Sequence, residues 1–543
     1  MAYAITQSCC TDTSCVTVCP VDCIHPTPGE PDFGLTDILY IDPSVCIDCG
    51  ACADACPTRA IKPVDLLRGG EEVFAELNAA YYDLHPAREH PYTHTWEEMG
   101  GDLDRTLSVA IVGTGPAASY AARQLLLSTD ANVTMIDRLP VPGGLVRGGV
   151  APDHPDTKHF IDTFEWSYKH PRMTMLMNVE VGTDITHEDV ARHHDAVIYG
   201  VGARLDRPLG VPGEQTPGVY AAPDVVGWYN GALDVPAGSI DVQGDRVVIV
   251  GNGNVALDLA RLLLEDPEVL ARTDMADYAV QAFRALDVRE VVLLGRRGPA
   301  EAAFTRPELL TMPPGIDVVV ARDEPTAAAL AAAAPESNAE LLARLPLVDV
   351  DLAAPPGGNR RLVFAFSQQV AAVGGTERVT SVEVARAGED ATTTVPCGTL
   401  IRSTGHRGAP VRGLPFDEGT ATIPNDRGRV VDPVTGRPVP GTYVVGWIKR
   451  GAHGGIGANR ICAHDTIATL IADANAGRVP KAPKSRQSFA PFVRRRVGDV
   501  VSRRRMLAIE KAEIKRGRKQ GRPRVKFETV DDMLKVSPVT AIH

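Results

Sequence analysis

The chain has 543 residues, with 56 Lys and Arg against 68 Asp and Glu and a net charge of −12. This length predicts roughly three or four domains with ample core, and the acidic balance argues against general nucleic-acid binding. No apolar run reaches the ~18 residues that span a bilayer, and the N-terminus runs into cysteines without a basic-then-apolar leader, so a cytoplasmic protein with no stable membrane association is expected.

Nine of the eleven cysteines lie in the first 56 residues. Cys46-x2-Cys49-x2-Cys52-x3-Cys56-Pro57 puts three closely spaced thiolates around one cubane and sends a fourth to a second cluster; Cys19-Pro20 supplies the reciprocal fourth ligand. A zinc ribbon, the main rival, wants two ligand pairs instead. The other half reads Cys9-Cys10, then Cys15-Val16-Thr17-Val18-Cys19, so the middle ligand of its triplet is missing. The first run resembles bacterial ferredoxins, and the shortened half resembles their seven-iron members, in which one cubane lacks an iron. The resemblance implies a [4Fe–4S] cluster on Cys19, Cys46, Cys49 and Cys52, and a [3Fe–4S] cluster on Cys15, Cys56 and either Cys9 or Cys10, with Cys9 favoured. A second [4Fe–4S] cluster is the alternative. Cys23, Cys397 and Cys462 are expected to be packing thiols. Residues 63–105 read as a linker whose His85, His90 and His94 lack ligand spacing.

Val109–Val112 reads as a buried strand, followed by Gly113-x-Gly115-x-x-Ala118 and a helix with Pro116 in its first turn. The first glycine permits the tight turn and the second lets backbone approach a pyrophosphate. The small third residue packs helix on strand, and the phosphates would sit at the helix N-terminus. Asp137, ending the next strand, can accept hydrogen bonds from a ribose diol. The Gly/Pro-rich segment 139–155 reads as a functional loop. Its Pro142-Gly143-Gly144-Leu145-Val146-Arg147-Gly148-Gly149-Val150-Ala151-Pro152-Asp153-His154-Pro155 resembles the segment that lies along FAD in adrenodoxin-reductase-like ferredoxin–NADP reductases. Gly143 and Gly148 depart from it, standing where that family carries an aromatic and a bulkier residue. The resemblance implies flavin contacts from Gly144, Leu145, Arg147 and Val150, with His154 near the reactive edge. Strands at 196–201, Thr399–Arg402 and Tyr443–Val445 are expected to return to this first sheet. Gly446-Trp447, Gly454 and Ile456-Gly457 match the family's closing segment, with Trp447 beside the ring and a last helix facing the flavin.

The opening logic repeats 138 residues later, in Val247–Val250 followed by Gly251-Asn252-Gly253-Asn254-Val255-Ala256. No acid ends its next strand; Arg296-Arg297 follows instead. Guanidinium groups there can hold a 2′-phosphate, so NADP(H) rather than NAD(H) is expected. Ala303-Phe304-Thr305-Arg306-Pro307-Glu308-Leu309 resembles the family's A-F-T-x-x-E-L, which implies Glu308 near the nicotinamide. Thr326–Pro335 is alanine-rich and reads as a surface helix. The tail, with fourteen Lys or Arg and three acids in residues 494–526, reads as a basic helix from Met506 to Arg518. Either it and the acidic first sixty residues are solvated faces, or the acidic module docks on it through weak, salt-dependent contacts.

The expected fold is α/β: two Rossmann-like nucleotide-binding domains preceded by a small α+β ferredoxin domain. The division reads 1–62 ferredoxin, 63–105 linker, 106–205 FAD domain, 206–395 NADP domain, 396–475 the FAD domain resumed, and 476–543 a basic extension. The implied function is NADPH:ferredoxin oxidoreduction, with hydride passing to FAD and single electrons passing to the attached clusters or to a separate ferredoxin or other one-electron acceptor, such as one serving a cytochrome P450 chain. His154 and Glu308 would hold the nicotinamide. The alternatives are an electron-transfer subunit like the small subunit of glutamate synthase, or a non-enzymatic redox sensor. Flow toward NADPH is also open.

Overall fold

The computed structural model describes residues 2–85, 103, 105–386, 389 and 391–536; His90 and His94 lie outside them. Among the described residues the chain builds two large sheets with parallel centres and a small N-terminal module. In the first sheet, Ser108–Val112 pairs in parallel with both Asn132–Asp137 and Ala196–Tyr199. Val109 to Val112 are all buried, as a central parallel strand covered on both faces requires. Helices Pro116–Ser128 and Ala458–Asn475 pack on one another over this sheet; Ala117, Ala118, Ala121 and Ala122 give the first a small-residue face that permits close approach. The second sheet has seven strands, again with a glycine turn and a helix, Asn254–Leu264, after a buried strand, Arg246–Val250.

Three boundaries differ from those expected. Thr399–Arg402 belongs to the second sheet, between Val219–Ala221 and Arg246–Val250. A short strand with only Leu400 and Ile401 apolar suits any parallel slot, and its partner is set by the chain around it. Pro438–Val444, by contrast, does join the first sheet, beside Ala196–Tyr199. The second boundary is at residue 62, inside a packed unit rather than at its edge. Tyr3–Ile5 pairs with Ile61–Pro63, and the helix Val73–Leu84, expected as linker, closes over both N-terminal strand pairs. Its buried Asn78 accepts from the backbone N–H of Ile5 (3.1 Å) and Ile41 (2.9 Å) and donates to the Ile5 carbonyl (2.9 Å). Tyr81 stacks on Tyr40 at 4.3 Å.

The third difference is the tail. Val501–Ser502 adds an antiparallel edge strand to the first sheet, and the helix Arg503–Lys519 contributes Met506 and Ile509 to its core. Its basic charge is partly internal: Lys526 meets Asp274 at 2.8 Å, and Arg522 bonds to Asp277. Glu513, fully buried, accepts from Arg147 (2.7 and 2.8 Å), Arg524 (3.2 Å) and the Phe527 N–H (3.1 Å). Burial alone would raise this carboxyl, but the two guanidiniums outweigh it and hold Glu513 below the ordinary range. A depressed carboxyl contributes stability that is present above its unfolded value of about 4.3 and lost as pH falls through the folded value. Glu513→Ala should therefore cost on the order of 3–5 kcal/mol, because two buried cations lose their partner. A lowered Tm with a flattened acid limb is the expected result.

Candidate functional site

Two glycine turns are built alike. Gly113 has φ +104°, and a Cβ there would lie 2.4 Å from the Gly200 carbonyl; Gly251 has φ +121°, with a Cβ 2.2 Å from the Ser403 carbonyl. Neither tolerates a side chain, so each strand can turn tightly under its neighbour. Gly115 faces open space, and a Cβ at Gly253 would meet nothing nearer than 3.8 Å. These open positions begin the helices Pro116–Ser128 and Asn254–Leu264, whose first N–H groups are available to phosphate. Both cradles thus fit a dinucleotide.

Around the first cradle, Asp137 accepts from Thr114 Oγ1 (2.6 Å) and Leu139 N–H (2.9 Å) at the end of its strand; burial raises its carboxyl. Gly144 packs against Gly115, and Gly446 against Ala117. The expected loop contains two short helices, Leu145–Gly148 and Pro155–Lys158. Leu145 is partly exposed, and the Val150 carbonyl accepts from Asn230 (3.1 Å). Gly143 has no room for the family's aromatic ring, since Ile161 fills that space. Arg147, expected at the flavin, turns instead to Glu513. Trp447 is half-exposed beside His406, with centroids 5.4 Å apart, and donates to the Gly454 carbonyl (3.2 Å). Ile456 sits next to Gly457, whose N–H is taken by the Cys10 carbonyl.

At the second cradle, Asn254 exchanges two hydrogen bonds with Thr305, tying the helix start to the segment that carries Glu308; Val255 follows it in the first turn. Arg296 and Arg297 are exposed just past the strand Glu290–Leu294, and among the described residues no carboxylate pairs with them. Between the cradles lies a charged cluster. Arg261, 3% exposed, contacts Asp153 (2.7 Å), Asp258 (2.6 Å) and Glu308 (3.3 Å). His154, Asp258 and Glu308 bring ligand atoms within 4.8 Å of one another, and Arg261 is the cation that Asp258 and Glu308 share. Burial, then Asp258, raises the Glu308 carboxyl. Arg261, Asp153, Asp258 and His406 carried no sequence signal beyond the motif around His154.

The cysteines form two pockets. Cys19, Cys23, Cys46, Cys49 and Cys52 line one, and Cys9, Cys10, Cys15 and Cys56 line the other. These are the two expected sets, with Cys23 and Cys10 added. Cys23 Sγ lies 3.5 Å from Cys19 Sγ. Cys9 packs with the module's core, whereas Cys10 packs with the core of the first sheet. Burial pushes Cys9 and Cys52 up to about 12; thiols so crowded need a positive centre to ionise, and iron would supply it. The second pocket sits directly against the start of the helix Ala458–Asn475. Gly457 N–H donates to the Cys10 carbonyl (2.8 Å), Arg460 donates to the Asp12 carbonyl (2.5 Å), and a Cβ at Gly457 would strike the Cys10 and Thr11 carbonyls. Asp37 accepts from the Arg306 N–H at 2.8 Å. Among the described residues, Asp37 thus meets the Arg306 backbone and Asp12 lies 3.9 Å from Arg460, and neither reaches the basic tail.

Residues 39–62 match the 4Fe-4S binding domain family, and residues 107–293 match the pyridine nucleotide-disulphide oxidoreductase family. A probable ferredoxin/ferredoxin–NADP reductase of Mycobacterium leprae (strain TN) is 43% identical over 99% of this chain and 98% of its own length. The chain belongs to the ferredoxin–NADP reductase family. NADPH-ferredoxin reductase FprA of Mycobacterium tuberculosis (strain ATCC 25618 / H37Rv) is 39% identical over 80% of this chain and 99% of itself. The solved structure of M. tuberculosis FprA in complex with NADPH covers the same share of each chain at 38% identity and a TM-score of 0.71. About a fifth of this ferredoxin–NADP reductase lies outside that likeness, which is the size of the segment before Ser108.

Proposed function

We propose that this ferredoxin–NADP reductase is an NADPH:ferredoxin oxidoreductase whose own N-terminal ferredoxin takes the electrons first, either keeping them or relaying them to a separate one-electron carrier, one serving a cytochrome P450 chain included. FAD and NADP(H) occupy the two glycine cradles, and iron–sulfur clusters occupy the cysteine pockets. When bound, these groups supply hydride transfer from nicotinamide to flavin and single-electron acceptance by the clusters. Gly113, Gly115, Pro116, Ala118, Asp137, Gly144, Leu145, Val150, Gly446, Trp447, Gly454 and Ile456 surround FAD; Arg147 acts from behind, held by Glu513. Gly251, Gly253, Asn254 and Val255 take the NADP(H) pyrophosphate, and Arg296 and Arg297 take its 2′-phosphate. His154 and Glu308 align the nicotinamide, where orientation lowers the barrier.

The reading is carried by the Cys10–Thr11 backbone seated on Gly457, which makes the pocket of Cys9, Cys15 and Cys56 proximal to the flavin cradle. The pocket of Cys19, Cys46, Cys49 and Cys52 is then distal, and its exposed Cys49 and Ile47 face outward toward a separate carrier. If the relay is internal, stopped-flow cluster reduction by NADPH will be first order and independent of protein concentration. A rate that rises with protein concentration defeats the reading.

Three thiols, Cys9, Cys15 and Cys56, suit a [3Fe–4S] proximal cluster. Cys10 in the same pocket favours a second reading, with four iron atoms. EPR of the oxidised, iron-replete protein should show the three-iron signal, and its absence selects the second reading. No helix among the described residues is long and apolar enough to cross a membrane. A cytoplasmic setting suits thiolates that hold iron–sulfur clusters.

A further inference from the structure

Gln7 lies in the turn after Tyr3–Ile5, two residues before Cys9. The turn is pinned on both sides, by Thr6 N–H to the Ala60 carbonyl (2.8 Å) and Cys9 N–H to the Thr6 carbonyl (3.1 Å). From it the Gln7 side chain leaves its own module and enters the cluster between the two cradles. Its Nε2 donates to Glu308 Oε2 at 3.0 Å and lies 3.3 Å from His154 Nε2. One NH2 group thus spans two acceptors, with one hydrogen for each. The acceptors come from different parts of the reductase: His154 caps the helix Pro155–Lys158, and Glu308 lies in the helix Arg306–Leu310. Arg261 donates to the same oxygen, Glu308 Oε2, at 3.3 Å.

A glutamine side chain ends in a primary carboxamide, and so does nicotinamide. We propose that the Gln7 carboxamide is a specificity-determining group of the hydride-transfer site: in the nucleotide-free protein it fills the polar subsite of His154 and Glu308, and the nicotinamide carboxamide displaces it. The inference rests on the reading that His154 and Glu308 face the nicotinamide. One pair of acceptors cannot serve two amides at once. NADP(H) therefore binds with its affinity reduced by the fraction of protein in which Gln7 holds the subsite. A ligand anchored only at the 2′-phosphate end does not meet this competition. A ligand that presents no carboxamide gains nothing by displacing Gln7, which sharpens selection for nicotinamide. Because Gln7 stands two residues from Cys9, its displacement also reports nicotinamide occupancy to the proximal pocket.

The test is calorimetric titration of the oxidised, full-length holoprotein with NADP+ and, separately, with 2′,5′-ADP, which shares the phosphate end but has no nicotinamide. In Gln7→Ala the NADP+ Kd should fall by about three- to tenfold, the worth of the lost hydrogen bonds. The 2′,5′-ADP Kd should hold at the parent value. Gln7→Ser, which also cannot reach the subsite, should give the same result if Ala disturbs the turn. An NADP+ Kd that stays put or rises, or equal changes for both ligands, overturns the inference. Glu308→Ala separates the two levels. If it weakens NADP+ and leaves 2′,5′-ADP alone while Gln7→Ala changes nothing, only the competition is refuted. If Glu308→Ala leaves NADP+ untouched, the placement of the nicotinamide itself is refuted.

Discussion

The Arg296→Ala/Arg297→Ala protein should show an NADPH KM raised by about a hundredfold or more, since each guanidinium–phosphate pair contributes a charge-assisted hydrogen bond. Its NADH kinetics should move little. The two arginines follow the strand Glu290–Leu294, which pairs along its length with the strand leading into Gly251. They are therefore held near the second cradle while their side chains remain exposed and, among the described residues, without a carboxylate partner. Removing them breaks no internal ion pair, so the loss should fall on nucleotide selection rather than stability. Equal losses for NADPH and NADH would show that the pair supports the fold, and the assignment of the 2′-phosphate would fail.

Cys15→Ser and Cys52→Ser should each remove the EPR signal of one cluster and leave the other. Both should lose at least about an order of magnitude in cytochrome c reduction, because an attached relay acts at high effective concentration. Ferricyanide, which draws on the flavin, should suffer less. The expectation follows from a series arrangement. The pocket that includes Cys15 abuts Gly457 and Arg460 through the 10–12 backbone, whereas the pocket that includes Cys52 opens beside exposed Ile47 and Cys49. A Cys52→Ser protein that reduces cytochrome c at the parent's rate would mean that electrons leave from the proximal pocket or the flavin.

Much of this architecture is legible in the residues because local chemistry leaves few options. Gly113 and Gly251 need positive φ under a crowding carbonyl, and only glycine meets both demands. Three thiols spaced by two residues must converge, so the grouping of Cys46, Cys49 and Cys52 is local as well. What the sequence does not carry is partner choice over long range. Thr399–Arg402, with only Leu400 and Ile401 apolar, would suit either sheet and goes to the second. Val73–Leu84 lies in a stretch that reads as linker, and its role depends on Asn78 reaching backbone groups of two strand pairs. The tail's charge suggests a surface, yet Glu513 and Lys526 are buried among partners hundreds of residues away. Arg261 and Gln7 are invisible for the same reason: each is an ordinary residue until the folded chain sets carboxylates and an imidazole around it.

One anaerobic titration of the holoprotein with NADPH, followed together by visible absorbance and EPR, bears most directly on the electron path. Bleaching of the flavin band should be accompanied, with no added carrier, by a change in the EPR signal of the cluster held by Cys9, Cys15 and Cys56. A flavin that bleaches under excess NADPH while that signal stays at its oxidised level, or a flavin that never bleaches, would contradict a flavin placed between the nucleotide and the clusters.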